Sequence, residues 1–215
     1  MSAVRLYSAA RSSAAFRVRI ALRLKGIDYE YVGVDLLAGE QRGPAYRAVN
    51  PSCLVPTLDI DGLRLTQSLA ILDYLEETRP APPLLPPDPA ARARARAAAL
   101  AVACDIHPVN NLRVLNHLKH RLKLEPAARG DWYRHWCEQG LGQLEALVRA
   151  GGGHGDFIEG DSPTVADICL VPQIFNARRF EAQLDHVPLL IAVFERCMTL
   201  PAFAESQWDR QPDFR

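Results

Sequence analysis

The sequence predicts a small α/β domain followed by an all-helical domain. Three observations carry this reading. Strand and helix signals alternate from residue 4 to residue 78. Prolines then crowd together at positions 80, 82, 83, 86, 87 and 89. Beyond them strand signals vanish. Prolines this dense fit neither a helix interior nor a central strand, so they mark a semi-rigid linker and a domain boundary. The expected division is residues 1–79, a linker at 80–89, and a helical domain at 90–215.

Each element has a local cause. Residues 4–7 alternate, with Val4 and Leu6 set against Arg5 and Tyr7, as a short strand does. Small and polar residues at 8–13 make a loop. Residues 14–25 place Phe16, Ile20, Ala21 and Leu24 on one apolar stripe of a helix. Arg17, Arg19 and Arg23 are expected on the rest of its surface, and Gly26 stops it. Residues 29–34 are aromatic and β-branched, a second strand. A short helix is expected at 45–49. Strands at 54–60 and 63–66 flank Asp61-Gly62, a strong hairpin signal, and a helix follows at 68–78. After the linker, residues 90–124 form an Ala-, Leu- and Arg-rich helical stretch that Pro108 should kink. Further helices are expected at 130–150, 164–180 and 188–200. The run from Thr164 to Asp167 has the capping-box form.

Composition narrows the function. The 215 residues carry 25 Lys+Arg and 25 Asp+Glu. Split at residue 85, the halves have net charges of +1 and −1. Neither half is a basic module, so no nucleic-acid partner is expected. No apolar run approaches the ~20 residues of a membrane span, and Arg5 and Arg11 interrupt any signal-peptide core. The five cysteines at 53, 104, 137, 169 and 197 are odd in number and widely spaced. They suggest a reduced, cytoplasmic chain in which most cysteines are small buried hydrophobes. A chain this long can bury about 70% of its surface, so it needs no disulfide or metal to hold a core. His117 and His120 are spaced for a metal but have no evident third ligand, and read as a solvated face.

Three stretches carry a resemblance. Residues 12–22, SSAAFRVRIAL, resemble the signature of the zeta class of glutathione transferases. Asn50-Pro51, Val55-Pro56-Thr57-Leu58 and Gln67-Ser68 resemble the glutathione-holding strand and helix of the wider superfamily. Residues 105–113, DIHPVNNLR, and 176–180, NARRF, resemble helical-domain motifs of the zeta-class maleyl isomerases. Together they span nearly the whole chain. The resemblance implies a thioredoxin-like α/β domain joined to an all-α domain, and a homodimer with the α/β domain of one subunit against the helical domain of the other. Two departures matter: Ala14 stands where the signature has cysteine, and Phe16 where it has tryptophan. The first argues against any activity that needs an enzyme thiol. It leaves isomerisation open, because there the attacking sulfur is glutathione's own.

The resemblance assigns roles that the residue chemistry supports. Ser12 and Ser13 open a helix whose N–H groups and dipole favour an anion. A hydroxyl aimed at a bound thiol would lower its pKa further, although either serine could simply cap the helix. Which of the two faces the sulfur stays open, with Ser12 favoured by analogy. Pro56 is expected in a cis peptide bond that turns the Val55 backbone outward to pair with a peptide. Gln67 and Ser68 are expected to hold the γ-glutamyl carboxylate of glutathione, and Gln41 its glycyl end. His107 and Asn111, four apart on one helix face, suit ligand contact, with Arg113 as a neighbour. Arg11 and Arg179 are candidates for the carboxylates of a small dianionic oxo-acid, since guanidinium pairs bidentately and keeps its charge.

The implied activity is glutathione-dependent cis–trans isomerisation of a maleyl oxo-acid in aromatic catabolism. The thiolate adds to the cis double bond, rotation follows, and elimination leaves the fumaryl isomer with the thiol regenerated. Maleylacetoacetate and maleylpyruvate share the maleyl end and are not separated by sequence. The alternatives are a transferase that conjugates glutathione to apolar electrophiles and a non-catalytic interaction protein. The arginines and the polar His107/Asn111 face count against the former, and the glutathione set that the resemblance implies against the latter.

Overall fold

The structure, a computed structural model, describes residues 4–215. It divides into two compact units: the chain up to Leu84 together with Leu200–Arg215, and Leu85–Thr199.

The first unit is built on a four-stranded sheet in the order β2-β1-β3-β4. Strand β1 (Arg5–Ser8) pairs parallel with β2 (Glu30–Gly33) and antiparallel with β3 (Thr57–Ile60). Strand β4 (Leu63–Thr66) closes a hairpin with β3. Its turn residues Asp61 and Gly62 have φ of 53° and 78°, the left-handed pair that such a tight turn demands. Strand β3 starts at Thr57 rather than residue 54, because Pro56 has no N–H to give a ladder. Helices α1 (Ser13–Leu24), α2 (Pro44–Val49) and α3 (Ser68–Thr78) complete the unit, with α1 packed on α3. Leu6, Val18, Ile20, Leu22, Leu58, Ile71 and Leu75 are fully buried.

One expectation about α1 fails. Arg17 and Arg19 are not on its surface; they are 2% and 0% exposed, because α1 is covered nearly all round. The Arg19 guanidinium is satisfied by oxygens instead of water. It donates to the Ser206 carbonyl at 3.1 Å, Ser8 Oγ at 3.1 Å, and the Ala9 and Ala10 carbonyls at 3.2 and 3.0 Å. Burial pulls its pKa down to about 10, which still leaves it cationic at neutral pH.

These bonds explain the second correction, to the domain boundary. Leu200–Arg215 belongs with the α/β unit and not with the helical one. Besides Arg19, Asp213 accepts from Ala10 N at 3.1 Å and from the Tyr31 hydroxyl at 2.6 Å. Glu205 pairs with Arg23 at 2.6 Å, and α9 (Pro201–Ala204) packs on α1. No hydrophobic period announces such polar docking.

The second unit is helical: α4 (Pro89–Leu100), α5 (Leu112–His120), α6 (Pro126–Gly151), α7 (Val165–Arg179) and α8 (Pro188–Met198). The expected kink at Pro108 is a larger break. A π-helical segment (Ala101–Ile106) and a 3-10 turn (Pro108–Asn110) separate α4 from α5. The His107 N–H reaches the Val102 carbonyl five residues back, at 2.9 Å. The π segment packs closely on α6 at Gly140, where an added Cβ would stand 2.5 Å from the Ile106 side chain. Thr164 and Asp167 form the expected capping box on α7. Glu145 of α6 accepts the Leu189 and Leu190 amides at 3.1 and 2.9 Å, capping α8 from another helix. Cys137, Cys169 and Cys197 are buried, Cys53 is half-buried and Cys104 is exposed. No helix of the described residues is long and apolar enough to cross a membrane. His117 and His120 are exposed.

Candidate active site

In the first unit, β1 delivers the chain to residues 9–11 and then to the start of α1. Ser12 is the N-cap residue, and its Oγ accepts from Ala15 N at 3.2 Å. A hydroxyl that accepts there keeps its own proton to donate. Ser12 is half-buried, whereas Ser13, the first helical residue, is 4% exposed. The first turn of α1 has no acidic residue, so nothing within it offsets the positive helix end. An anion beside Ser12 would meet both the dipole and a hydroxyl donor.

The loop ahead of Ser12 is clamped by the C-terminal segment through Arg19 and Asp213. Arg11 is exposed on that loop. Its Nη2 donates to the Arg215 carbonyl at 2.8 Å, and its guanidinium lies 5.2 Å from the Phe214 ring and 6.0 Å from the Trp208 ring. Such cation–π contacts fix a side chain without consuming its outward N–H groups.

Three further places in this unit suit an extended anionic peptide. The Val55–Pro56 bond is cis, and the Val55 backbone joins no hydrogen bond among the described residues. It is an open main-chain donor and acceptor beside β3. Gln67, at the N-cap of α3, has φ 67° and ψ 115°, a backbone conformation that costs energy for a side-chain-bearing residue. Ser68 behind it is 6% exposed and accepts from Arg17 Nη1 at 3.3 Å. Gln41 sits in the one-turn helix Glu40–Arg42, 8% exposed, and its buried Oε1 has no partner among the described residues. Orphaned polar atoms and an unpaired backbone are what an extended peptide ligand would satisfy.

In the second unit, His107 and Asn111 meet, but not as expected. They do not share the face of one helix. Asn111 is extended (φ −64°, ψ 150°) and caps α5, its Oδ1 accepting from Arg113 N at 3.1 Å. The break in the helix folds the chain so that Asn111 Nδ2 lies 3.2 Å from His107 Nε2. An amide donor facing Nε2 favours the tautomer protonated at Nδ1. Arg113 is exposed in the first turn of α5. Arg179 ends α7, exposed, 5.3 Å from the ring of Phe180, which itself stacks on Tyr133 at 3.7 Å. Arg178 diverges from it, lying over Phe194 at 4.5 Å and 3.9 Å from Glu195.

Two residues escaped sequence reasoning. Asn110 is buried, donates to the Tyr133 carbonyl at 3.3 Å, and its Oδ1 has no partner among the described residues. Arg17 is the other. The available signal was charge: no Asp or Glu precedes Asp28, so the arginines of α1 have no acidic neighbour along the chain.

Residues 11–78 match the family of the glutathione S-transferase N-terminal domain. The maleylacetoacetate isomerase of Rhizobium meliloti (strain 1021) is 49% identical over 95% of this chain and 96% of its own. Among solved structures, a maleyl pyruvate isomerase described as a bacterial zeta-class glutathione S-transferase superposes with a TM-score of 0.96. It is 44% identical and covers 98% of this chain and all of its own. A maleylacetoacetate isomerase from Methylobacterium extorquens AM1, with bound malonate and GSH, has a TM-score of 0.94. It is 44% identical over 98% of this chain and 99% of its own.

The chain belongs to the zeta class of glutathione transferases. Within that class the α/β unit is the thioredoxin-like half, and its α1 start, Val55–Pro56 loop and α3 start are the features that the sequence resemblance singles out. The zeta-class motif DIHPVNNLR corresponds here to the π segment, the 3-10 turn and the α5 cap rather than to one kinked helix.

Proposed function

We propose that this zeta-class chain is a glutathione-dependent cis–trans isomerase that converts a maleyl oxo-acid, maleylacetoacetate or maleylpyruvate, to its fumaryl isomer. The observation that carries the reading is likeness to isomerases of both names along nearly the full chain, at 49% and 44% identity. In this reading Gln41, the Val55 backbone beside Pro56, Gln67 and Ser68 hold glutathione, and His107, Asn111 and Arg113 are further candidates for contact with it. Bound glutathione supplies a thiolate that adds to the cis double bond and is expelled after rotation. Ser12 donates to that sulfur, with Ser13 as the alternative, and the α1 N-terminus holds it ionised. Arg11 and Arg179 each bind a carboxylate of the dianion and steady the charge that develops next to its oxo group. The working form is a cytoplasmic homodimer.

The test supplies maleylpyruvate and maleylacetoacetate separately, with and without glutathione, and follows the fumaryl product by absorbance. Glutathione-dependent turnover of either supports the proposal, and the ratio of kcat/KM names the substrate. Glutathione binding with no turnover of either overturns it in favour of a conjugating transferase.

A further inference from the structure

Among the described residues Arg17 is a buried cation without a counter-ion. It is 2% exposed, and it enters no ion pair among the described residues. Its Nη1 donates to Ser68 Oγ at 3.3 Å, while its Nε and Nη2 have no partner among the described residues. Its own helix offers no help, since α1 has no acidic residue. On α3, which packs against it, Glu76 is taken by Lys25 at 2.7 Å and Asp73 and Glu77 are exposed. A buried guanidinium left like this is costly, and its cost falls when an anion arrives nearby.

The anion's place is set by a second, separate feature. Arg17 reaches the first residue of α3, an 11-residue helix whose N-cap, Gln67, supplies no side-chain acceptor. The first-turn amides of α3 are therefore also without a cap, and they add their partial positive charge to that of Arg17. Ser68 links the two. Because its Oγ accepts from Arg17, its proton is left for an acceptor on the other side.

We propose that Arg17 is a positioning residue for the γ-glutamyl carboxylate of glutathione. Its nitrogens are too deeply buried to touch the ligand, so it acts through Ser68. It fixes the Ser68 hydroxyl as a donor and keeps the start of α3 strongly positive in a low-dielectric setting, where a fixed charge acts further than in water. The proposal rests on glutathione being the bound peptide.

The test is a cycle between protein and ligand. Binding of glutathione and of its analogue 4-aminobutyryl-cysteinyl-glycine, which lacks only that carboxylate, is measured by calorimetry on the full chain. The proteins are wild type, Arg17→Gln and Arg17→Lys. A hydrogen bond to a charged group sets the scale at about tenfold or more. Arg17→Gln is expected to weaken glutathione by at least about tenfold and the analogue by less than about twofold, with Arg17→Lys recovering part of the loss. Equal weakening of both ligands would mean that Arg17 only supports packing, and overturns the proposal.

Should Arg17→Gln not fold, a crystal structure of the wild type with glutathione decides. The carboxylate on Ser68 Oγ with the Arg17 bond retained supports the proposal, and a carboxylate seated elsewhere overturns it. Turnover is assayed in parallel. Coupling without isomerisation removes the isomerase reading and keeps Arg17, while isomerisation without coupling removes Arg17 alone. Failure of the wild type to bind glutathione overturns both.

Discussion

The Ser12 Oγ accepts the Ala15 amide as the cap of α1 and retains a proton. One oxygen can therefore hold the helix start and serve a sulfur at the same time. Ser12→Ala is expected to cost about 1 kcal/mol in denaturant unfolding, the ordinary value of a lost cap. It should also raise the pKa of the bound thiol, so that activity lost at pH 7 returns in part toward pH 9. Ultraviolet titration of the bound thiolate reads this directly. Ser13→Ala is expected to move the thiol less, and the reverse order would assign the sulfur to Ser13. At this scale the sequence names candidate residues without showing how they are held. It marked Ser12, Gln67 and Ser68 by motif, yet set Arg17 and Arg19 on the surface. A stripe of four apolar residues says which face must be buried. It says nothing of the opposite face when a sheet, α3 and a returning C-terminal segment cover the helix all round.

Elements were legible where a local signal fixed both ends. The Asp61-Gly62 turn set β4 at Leu63–Thr66, and α3 at Ser68–Thr78 followed as read. They were illegible where a distant polar contact decided. The segment after Leu200 joins the α/β unit through Arg19, Glu205 and Asp213, with partners roughly two hundred residues away in the chain. That docking holds the loop carrying Arg11. Asp213→Ala should free the Ala10 amide and the Tyr31 hydroxyl and raise KM for the oxo-acid several-fold, with little change in affinity for glutathione. An equal loss in both would show that the segment merely supports the fold.

Asp167 offers a second check on an element. It is fully buried, with Oδ1 accepting from Ile158 N at 2.9 Å and Oδ2 from Thr164 N at 2.7 Å. Burial outweighs these bonds and pushes its pKa up to about 6. The folded chain then binds this proton more tightly than the unfolded one, so this group's contribution falls as pH rises from about 4 to 6. Urea unfolding across that window should show wild type losing about 2–3 kcal/mol relative to Asp167→Asn, which cannot titrate. Parallel profiles for the two proteins would contradict the shift.

For the whole molecule the charge is zero, with 25 residues of each sign, so no global field draws a dianion in. The proposed function assigns recognition to individual guanidinium groups, and the two candidates belong to different units: Arg11 to the first and Arg179 to the second. Each is exposed and each is held by aromatic rings, Phe214 and Trp208 for Arg11 and Phe180 for Arg179. If Arg11 and Arg179 grip the two carboxylates of one dianion, the losses depend on each other. Arg11→Met and Arg179→Met are each expected to lower kcat/KM by about 30-fold or more, the scale of a broken charge-assisted pair. The double variant should lose less than the product of the two, because a substrate released at one end is no longer held in place for the other. Glutathione affinity, measured alongside by calorimetry, should stay within about twofold in all three. Strictly multiplicative losses would mean independent roles, and an unchanged kcat/KM in Arg179→Met would remove the helical unit from carboxylate recognition.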